Sequence, residues 1–403
     1  MNKLARRLGV IFALVGAPVH AVETSYVFNA RLLGGQYFFE NQESELTGNA
    51  GVLFAPAVEI NDRWVILTSL NASWRGTKSV QDLVGGGTLF QQTQDHSANV
   101  KAVYKAGEAW LFKGGGGYRI QLLKETKNES WGKGLFDFEK PSLNFEMERM
   151  FSKETALRAG YDYFWIDFRN YASLESQQRN LGRENVGSKT LNTQNHSPYL
   201  SWRSAFGFGD QSAKYDFTYY YTFRNFTQQK VVLASGDLSA DARRDKSQIG
   251  SANLTLPFLF TEKFKLLQDF KAGAGVLTSN QSNYDAGKTR FNSNYYAYKE
   301  FNAGTQSNFL LGPRPWVVSA GFTYARRNYD DRPVQNTVGD YGAEKIHSND
   351  YYASVGVTYP VNKNFRVQAL GNFGWSRSNM KYEQTYQYNY ETFTYLMGVI
   401  YDY

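Results

Sequence analysis

From Phe365 to Trp375, every second residue is apolar or glycine: Phe365, Val367, Ala369, Gly371, Phe373 and Trp375. Arg366, Gln368 and Asn372 lie between them. Side chains alternate across an extended strand, so this segment has one greasy face and one largely polar face. The last eleven residues repeat the pattern, with Phe393, Tyr395, Met397, Val399, Tyr401 and Tyr403 on one face. A two-faced strand of this kind must lay its apolar side on something non-aqueous, and that requirement limits the fold more than any other feature. Mean hydropathy is −0.51 although aromatics make up 16% of the chain. After the N-terminus no run approaches the ~20 apolar residues of a membrane helix, so a bundle of such helices is excluded.

Alternating stretches recur near 24–40, 51–60, 64–74, 97–105, 110–122, 143–150, 157–168, 197–206, 215–226, 247–258, 264–278, 291–301, 316–329, 350–359 and 365–377, then the final strand. Short and long connections alternate between them. This predicts an all-β fold: a transmembrane antiparallel up-and-down barrel of about 16 strands, with short turns at one end and long external loops at the other. Residues 22–403 form one barrel domain in this reading. A soluble sandwich would turn a polar face outward and would not alternate its connection lengths. Strands that follow short turns open with Trp64, Trp110, Tyr215, Phe264, Trp316 or Phe365, and Trp74 and Trp375 close two of them. These eight are expected at the two membrane interfaces. Ten steps from Trp64 to Trp74 span roughly 33 Å, which a tilt of ~40° projects to about 25 Å, the height of a barrel's apolar band.

The C-terminal strand, aromatic at its last residue and apolar at each second residue before it, resembles the closing signature of bacterial outer-membrane β-barrel proteins. The resemblance implies that the last strand pairs with the first. It also implies that Tyr395, Met397, Val399, Tyr401 and Tyr403 carry the signal read by the barrel-assembly machinery during biogenesis. Most members end in Phe, whereas this chain ends in Tyr. The N-terminus fits the same class. Lys3, Arg6 and Arg7 precede the apolar stretch 8–19, and Val19-His20-Ala21 offers a cleavage site, so 1–21 reads as a signal peptide. Cleavage would remove three cations and lower the net charge from +7 to +4. The expected location is the outer membrane of a Gram-negative cell envelope, among lipid and lipopolysaccharide. Arg326-Arg327-Asn328-Tyr329, Arg332 and Ser376-Arg377-Ser378-Asn379 also resemble the barrel halves of larger outer-membrane exporters and surface-lipoprotein assembly proteins. Those proteins carry an N-terminal helical repeat domain, which is not expected here.

If the apolar faces meet lipid, the opposite faces line the interior. The pore-lining candidates are Arg31, Lys101, Lys105, Lys113, Arg119, Arg158, Arg203, Asp216, Arg224, Lys265, Asp269, Lys271 and Arg366, with Glu146, Glu148, Asp162, Asp350 and Asp402 on the same parity. Charges inside a barrel of this size require water, and a cationic wall raises the local concentration of anions. The leading expectation is a porin-like channel for passive or facilitated passage of small solutes, with slight anion preference. The loop 171–192 is the candidate to fold inward. Alternatives are the barrel of an export or surface-assembly system, and a surface enzyme or adhesion scaffold. An enzyme is not expected. His96-Ser97, His196-Ser197 and His347-Ser348 place base and hydroxyl on opposite faces of a strand. The chain has no cysteine, and the acidic residues of 124–140 alternate with lysines, so neither a metal nor a cofactor is expected. Export and mild basicity argue against nucleic acid.

Overall fold

The computed structural model describes residues 23–40, 46–76, 79–81, 88–90, 92–126, 128–175, 185–383 and 386–403. The expected signal peptide lies outside them. Sixteen strands form one closed sheet: β1 (Glu23–Phe39), β2 (Leu46–Asn61), β3 (Trp64–Arg75), β6 (Gln92–Ala106), β7 (Trp110–Lys124), β8 (Phe138–Met150), β9 (Ala156–Phe168), β12 (Thr193–Phe208), β13 (Gln211–Val232), β14 (Leu238–Thr261), β15 (Phe264–Ser279), β18 (Tyr298–Leu311), β19 (Trp316–Gln335), β20 (Tyr341–Pro360), β21 (Phe365–Ser378) and β22 (Tyr390–Asp402). Three hairpins stand in the long loops: β4–β5 (Ser79–Gln81, Thr88–Phe90), β10–β11 (Ala172–Glu175, Asn185–Ser188) and β16–β17 (Asn283–Asp285, Arg290–Asn292).

The short turns use local chemistry that reverses a strand in few residues. Asn61 Oδ1 accepts the backbone N–H groups of Arg63 and Trp64 at 2.9 Å each. Asn362 does the same for Asn364 and Phe365 at 2.8 and 2.9 Å. Gly312 takes a φ of 90°, which a side chain would oppose. All connections at this end are this brief, and the first and last described residues lie there, where Phe28 and Tyr403 exchange backbone hydrogen bonds at 2.8 Å.

β22 pairs antiparallel with β1 from Asn29↔Asp402 to Phe39↔Thr392, so no strand of the barrel is left with a free edge. Following the register through every pairing returns to β1 roughly 20 residues further along the strand. Sixteen strands with that stagger tilt by about 40° and set the backbone about 16 Å from the axis.

Two expectations need correction. The strand expected at 291–301 runs instead over Tyr298–Leu311, because 293–297 form a turn after the β16–β17 hairpin and their aromatics serve loop packing, with Tyr296 under Arg243. The polar stretches 228–244 and 330–346 were expected as long loops. They are instead largely strand: β13 runs on to Val232, β14 starts at Leu238, β19 reaches Gln335 and β20 starts at Tyr341. These two hairpins stand above the alternating apolar segments. There neither face has to be apolar throughout, and polar groups such as Arg243 and Arg332 are buried in loop packing, so the alternation that marks a membrane strand is lost although the ladder continues.

Candidate functional site: the lumen and its outer mouth

The outward parity of the wall carries large exposed apolar groups all round, among them Leu32 (62% exposed), Phe145, Phe217, Phe270, Val355 and Met397 (63% exposed). A continuous apolar exterior of this kind has lipid as its compatible solvent. Trp64, Trp74, Trp110, Tyr215, Phe264, Trp316, Phe365 and Trp375 all lie on that parity, as do Tyr395, Met397, Val399 and Tyr401. Trp64 lies tilted against Tyr104, Trp316 edge-on to Tyr359 and Phe365 tilted against Tyr401, with ring centroids 4.8 to 4.9 Å apart. His96, His196 and His347 also point outward. The Tyr161 hydroxyl meets His196 Nδ1 at 2.5 Å, and no serine partner joins it.

The other parity faces the lumen. Arg31, Lys101, Lys105, Lys113, Arg119, Arg158, Arg203, Asp216, Arg224, Lys265, Asp269, Lys271 and Arg366 all belong to it. Curvature brings some of them together across strands that are not neighbours. Glu148 of β8 receives Lys113 Nζ from β7 at 2.5 Å and Arg203 Nη2 from β12 at 2.7 Å, with Arg158 Nε of β9 at 3.9 Å. Glu146 receives Lys113 at 2.5 Å and the Tyr199 hydroxyl at 2.5 Å. Tyr199 reaches it by lying flat across β9 over Gly160, where any β-carbon would strike its ring. The network therefore gathers three cations around two acids, and the ring stays against the wall instead of crossing the lumen.

Other pairs are local. Arg119 donates to Asp95 from Nε, at 2.9 and 3.0 Å to its two oxygens, and from Nη2, and Arg366 meets Asp402 at 2.6 Å. Asp216 accepts from Asn253 and Asp269 from Thr255. Among the described residues, Arg31, Lys101, Lys105, Arg224, Lys265 and Lys271 have no ion pair. The charges are uneven round the barrel. On β6 to β13 Lys101, Lys105, Lys113, Arg119, Lys140, Arg158, Arg203, Lys214 and Arg224 face Asp95, Glu146, Glu148, Asp162 and Asp216. On β18 to β22 the interior charges nearly balance: Arg327 and Arg366 face Glu300, Asp350 and Asp402 among the neutral Gln306, Asn308, Ser354, Gln368 and Asn372.

Sequence reasoning missed Lys140 and Lys214 because each was placed at or beyond a strand boundary. It missed Tyr199 and Gly160 because their contact joins separate strands. The parity of all four was legible.

Above the wall the loops build their own packing. Leu123, Phe136, Phe138, Phe168 and Leu191 form a buried cluster with Tyr171 against it, so both ends of the loop 171–192 are anchored at the mouth. Its stretch 176–184 lies outside the described residues. Farther round, Arg243 bonds Asp245 at 3.0 and 2.8 Å and lies over the rings of Phe226 and Tyr296. Lys288 to Asp340 at 2.6 Å and Tyr341 to Asp285 at 2.8 Å tie β16–β17 to the β19–β20 hairpin.

The mouth loop 125–137 carries a pH dependence. Asp137 is buried, and its Oδ1 accepts the Leu123 N–H at 2.7 Å. Burial pushes its carboxyl up, and burial together with neighbouring Glu129 pushes Glu125 up. A folded carboxyl held above its unfolded value binds its proton more tightly when folded, so ionisation opposes the loop's packing. That opposition is absent below the unfolded pKa and grows as pH rises through the folded one. Native-state hydrogen exchange, corrected for intrinsic rates, should show the Leu123 and Asp137 amides better protected at about pH 3.5, below the unfolded carboxyl range, than at pH 7. Asp137→Asn should retain more of that protection at pH 7. Equal protection of the wild type at both pH values would sink the account.

No family model and no curated protein matches this chain. Among solved structures, it is similar to the loop-L8 deletion mutant of OmpT, an outer membrane protein of Vibrio cholerae. That match has 10% identity, covers 95% of this chain and 100% of that one, and has a TM-score of 0.45. It is also similar to OccAB1 of Acinetobacter baumannii, with 9% identity, 95% and 97% coverage and a TM-score of 0.43. The alcaligin outer membrane receptor FauA of Bordetella pertussis gives 9% identity, 94% and 76% coverage and a TM-score of 0.42.

Proposed function

We propose that this barrel sits in the outer membrane of a Gram-negative envelope and conducts small solutes through a water-filled lumen, with slight anion preference. The observation that carries this reading is the uneven interior. β6 to β13 hold an excess of cations, and Lys101, Lys105, Lys214 and Arg224 have no ion pair among the described residues. Such groups require water, and a backbone radius of about 16 Å leaves room for it. Lumen-facing Ile249 and Tyr352 are 48% and 49% exposed, which supports an accessible interior. The thirteen charged residues named above are the proposed pore lining, and the loop 171–192 is proposed to narrow it.

In this reading the eight outward aromatics sit at the membrane interfaces, lipopolysaccharide surrounds the outer end, and residues 1–21 are removed on export. The outward residues of β22, with Tyr403, serve barrel assembly. No enzymatic role is proposed, and the turns at the end bearing the first and last described residues are too brief to offer an export partner much surface.

Planar-bilayer recording of the refolded protein tests this. Stable open steps with a reversal potential of anion-selective sign are expected in a salt gradient. Silence from protein shown to be folded would overturn it.

A further inference from the structure

The lumen wall has a recess of about 460 Å³ at the end with the short turns, between β9, β12 and β13. Arg158, Arg203 and Lys214 line it from the strands, and Lys153 from the turn that joins β8 to β9. Two acids, Glu154 and Asp216, share the recess, so cations exceed acids by two. Asp216 is already engaged by Asn253 at 2.8 Å, and Glu154 accepts from Ser212 at 3.4 Å. Each arginine keeps donors in reserve. Glu148 takes Nη2 of Arg203 and only approaches Nε of Arg158 at 3.9 Å, and the two side chains are 40% and 31% exposed, so parts of both guanidinium groups stay open to the lumen. Lys153 and Lys214 have no ion pair among the described residues. Ser201 and Thr218, bonded to each other at 3.0 Å, add hydroxyls between the cations.

We propose that this recess is a binding site for a small dianion with several oxygens, a phosphate monoester or a dicarboxylate, met by solutes at the inner end of the lumen. Guanidinium groups suit such ligands because their planar forks pair with two oxygens at once, and the two lysines supply point charges. The four cations outnumber the two lining acids, and with Glu148 behind Arg203 and Arg158 counted the recess still keeps a net positive charge for an anion. The volume accommodates a molecule larger than the bare ion. The wall of β18 to β22 has no such excess of cations, so the solute would be drawn to one side of the lumen. This inference rests on the pore reading for its path, but the site itself can be tested without conduction.

Binding of inorganic phosphate and of succinate to the refolded protein in detergent would be measured by calorimetry. Current blockade by the same probes would be recorded in bilayers. Lys214→Gln should weaken binding of the preferred probe roughly tenfold, the usual worth of one charge-assisted contact. Lys363→Gln, in an exposed turn at the same end, should leave it unchanged. Phosphate bound in preference to succinate identifies the phosphate class, and the reverse identifies the dicarboxylate class. Open channels with no binding of either probe would overturn the site while the pore stands. Binding without conductance would overturn the pore while the site stands. Equal affinity in wild type and Lys214→Gln would place binding elsewhere and overturn the site.

Discussion

Gly398→Val should leave the barrel unable to close. Gly398 lies on β22 opposite Leu33 of β1, and a β-carbon there would run into the backbone carbonyl of Leu32, with the Leu33 Cα at 2.8 Å. Gly35 makes the reciprocal approach from β1 to the backbone of Tyr395 and Leu396. Backbone cannot rotate aside as a side-chain tip can. The seam must therefore part or shift, at a cost of about 3 kcal/mol or more. Closure also removes the last exposed edge, so an open seam invites aggregation. Refolding into detergent followed by unheated gel electrophoresis would read this as loss of the compact band. Gly34→Ala is the matched control, since a β-carbon at Gly34 meets nothing within 4 Å. A Gly398→Val protein that closes in wild-type yield would show that the seam has more slack than its geometry allows.

Glu148→Ala is expected to have the second-largest effect. The Glu148 side chain is 3% exposed and holds Lys113 and Arg203, with Arg158 near. Removing one partner of a buried ion pair costs 3–5 kcal/mol in a dry interior. Arg203 and Arg158 are 40% and 31% exposed and recover part of that from water, so about 2 kcal/mol is expected. Denaturant titration in lipid would measure it. The same change leaves Arg203 and Arg158 without an acid on the lumen wall, while Lys113 keeps Glu146, so the reversal potential should move toward stronger anion preference. Glu148→Ala/Arg203→Gln should return part of both effects, because the cations left behind are fewer. Unchanged stability together with an unchanged reversal potential would refute the role assigned to this network.

The periodicity of Phe365–Trp375 and Phe393–Tyr403 alone fixes which side chains share a face, because side-chain direction along a strand depends only on odd or even position. That is why Arg158, Arg203, Lys113 and Lys271 could be assigned together without coordinates, and why the outward aromatics fell on one parity. The strand number was legible from alternating connection lengths. The upper reaches of β13–β14 and β19–β20 were not, since strands beyond the apolar band pack polar side chains such as Arg243 and Arg332 and lack the alternation. Only tertiary structure decided the stagger of roughly 20 residues on closure, the backbone contact at Gly398 and the passage of Tyr199 over Gly160. It likewise decided that Glu148 answers cations from β7, β9 and β12 at once. These depend on register and curvature, which bring together residues from strands distant along the chain, whereas a local pattern reports only the direction in which each residue points.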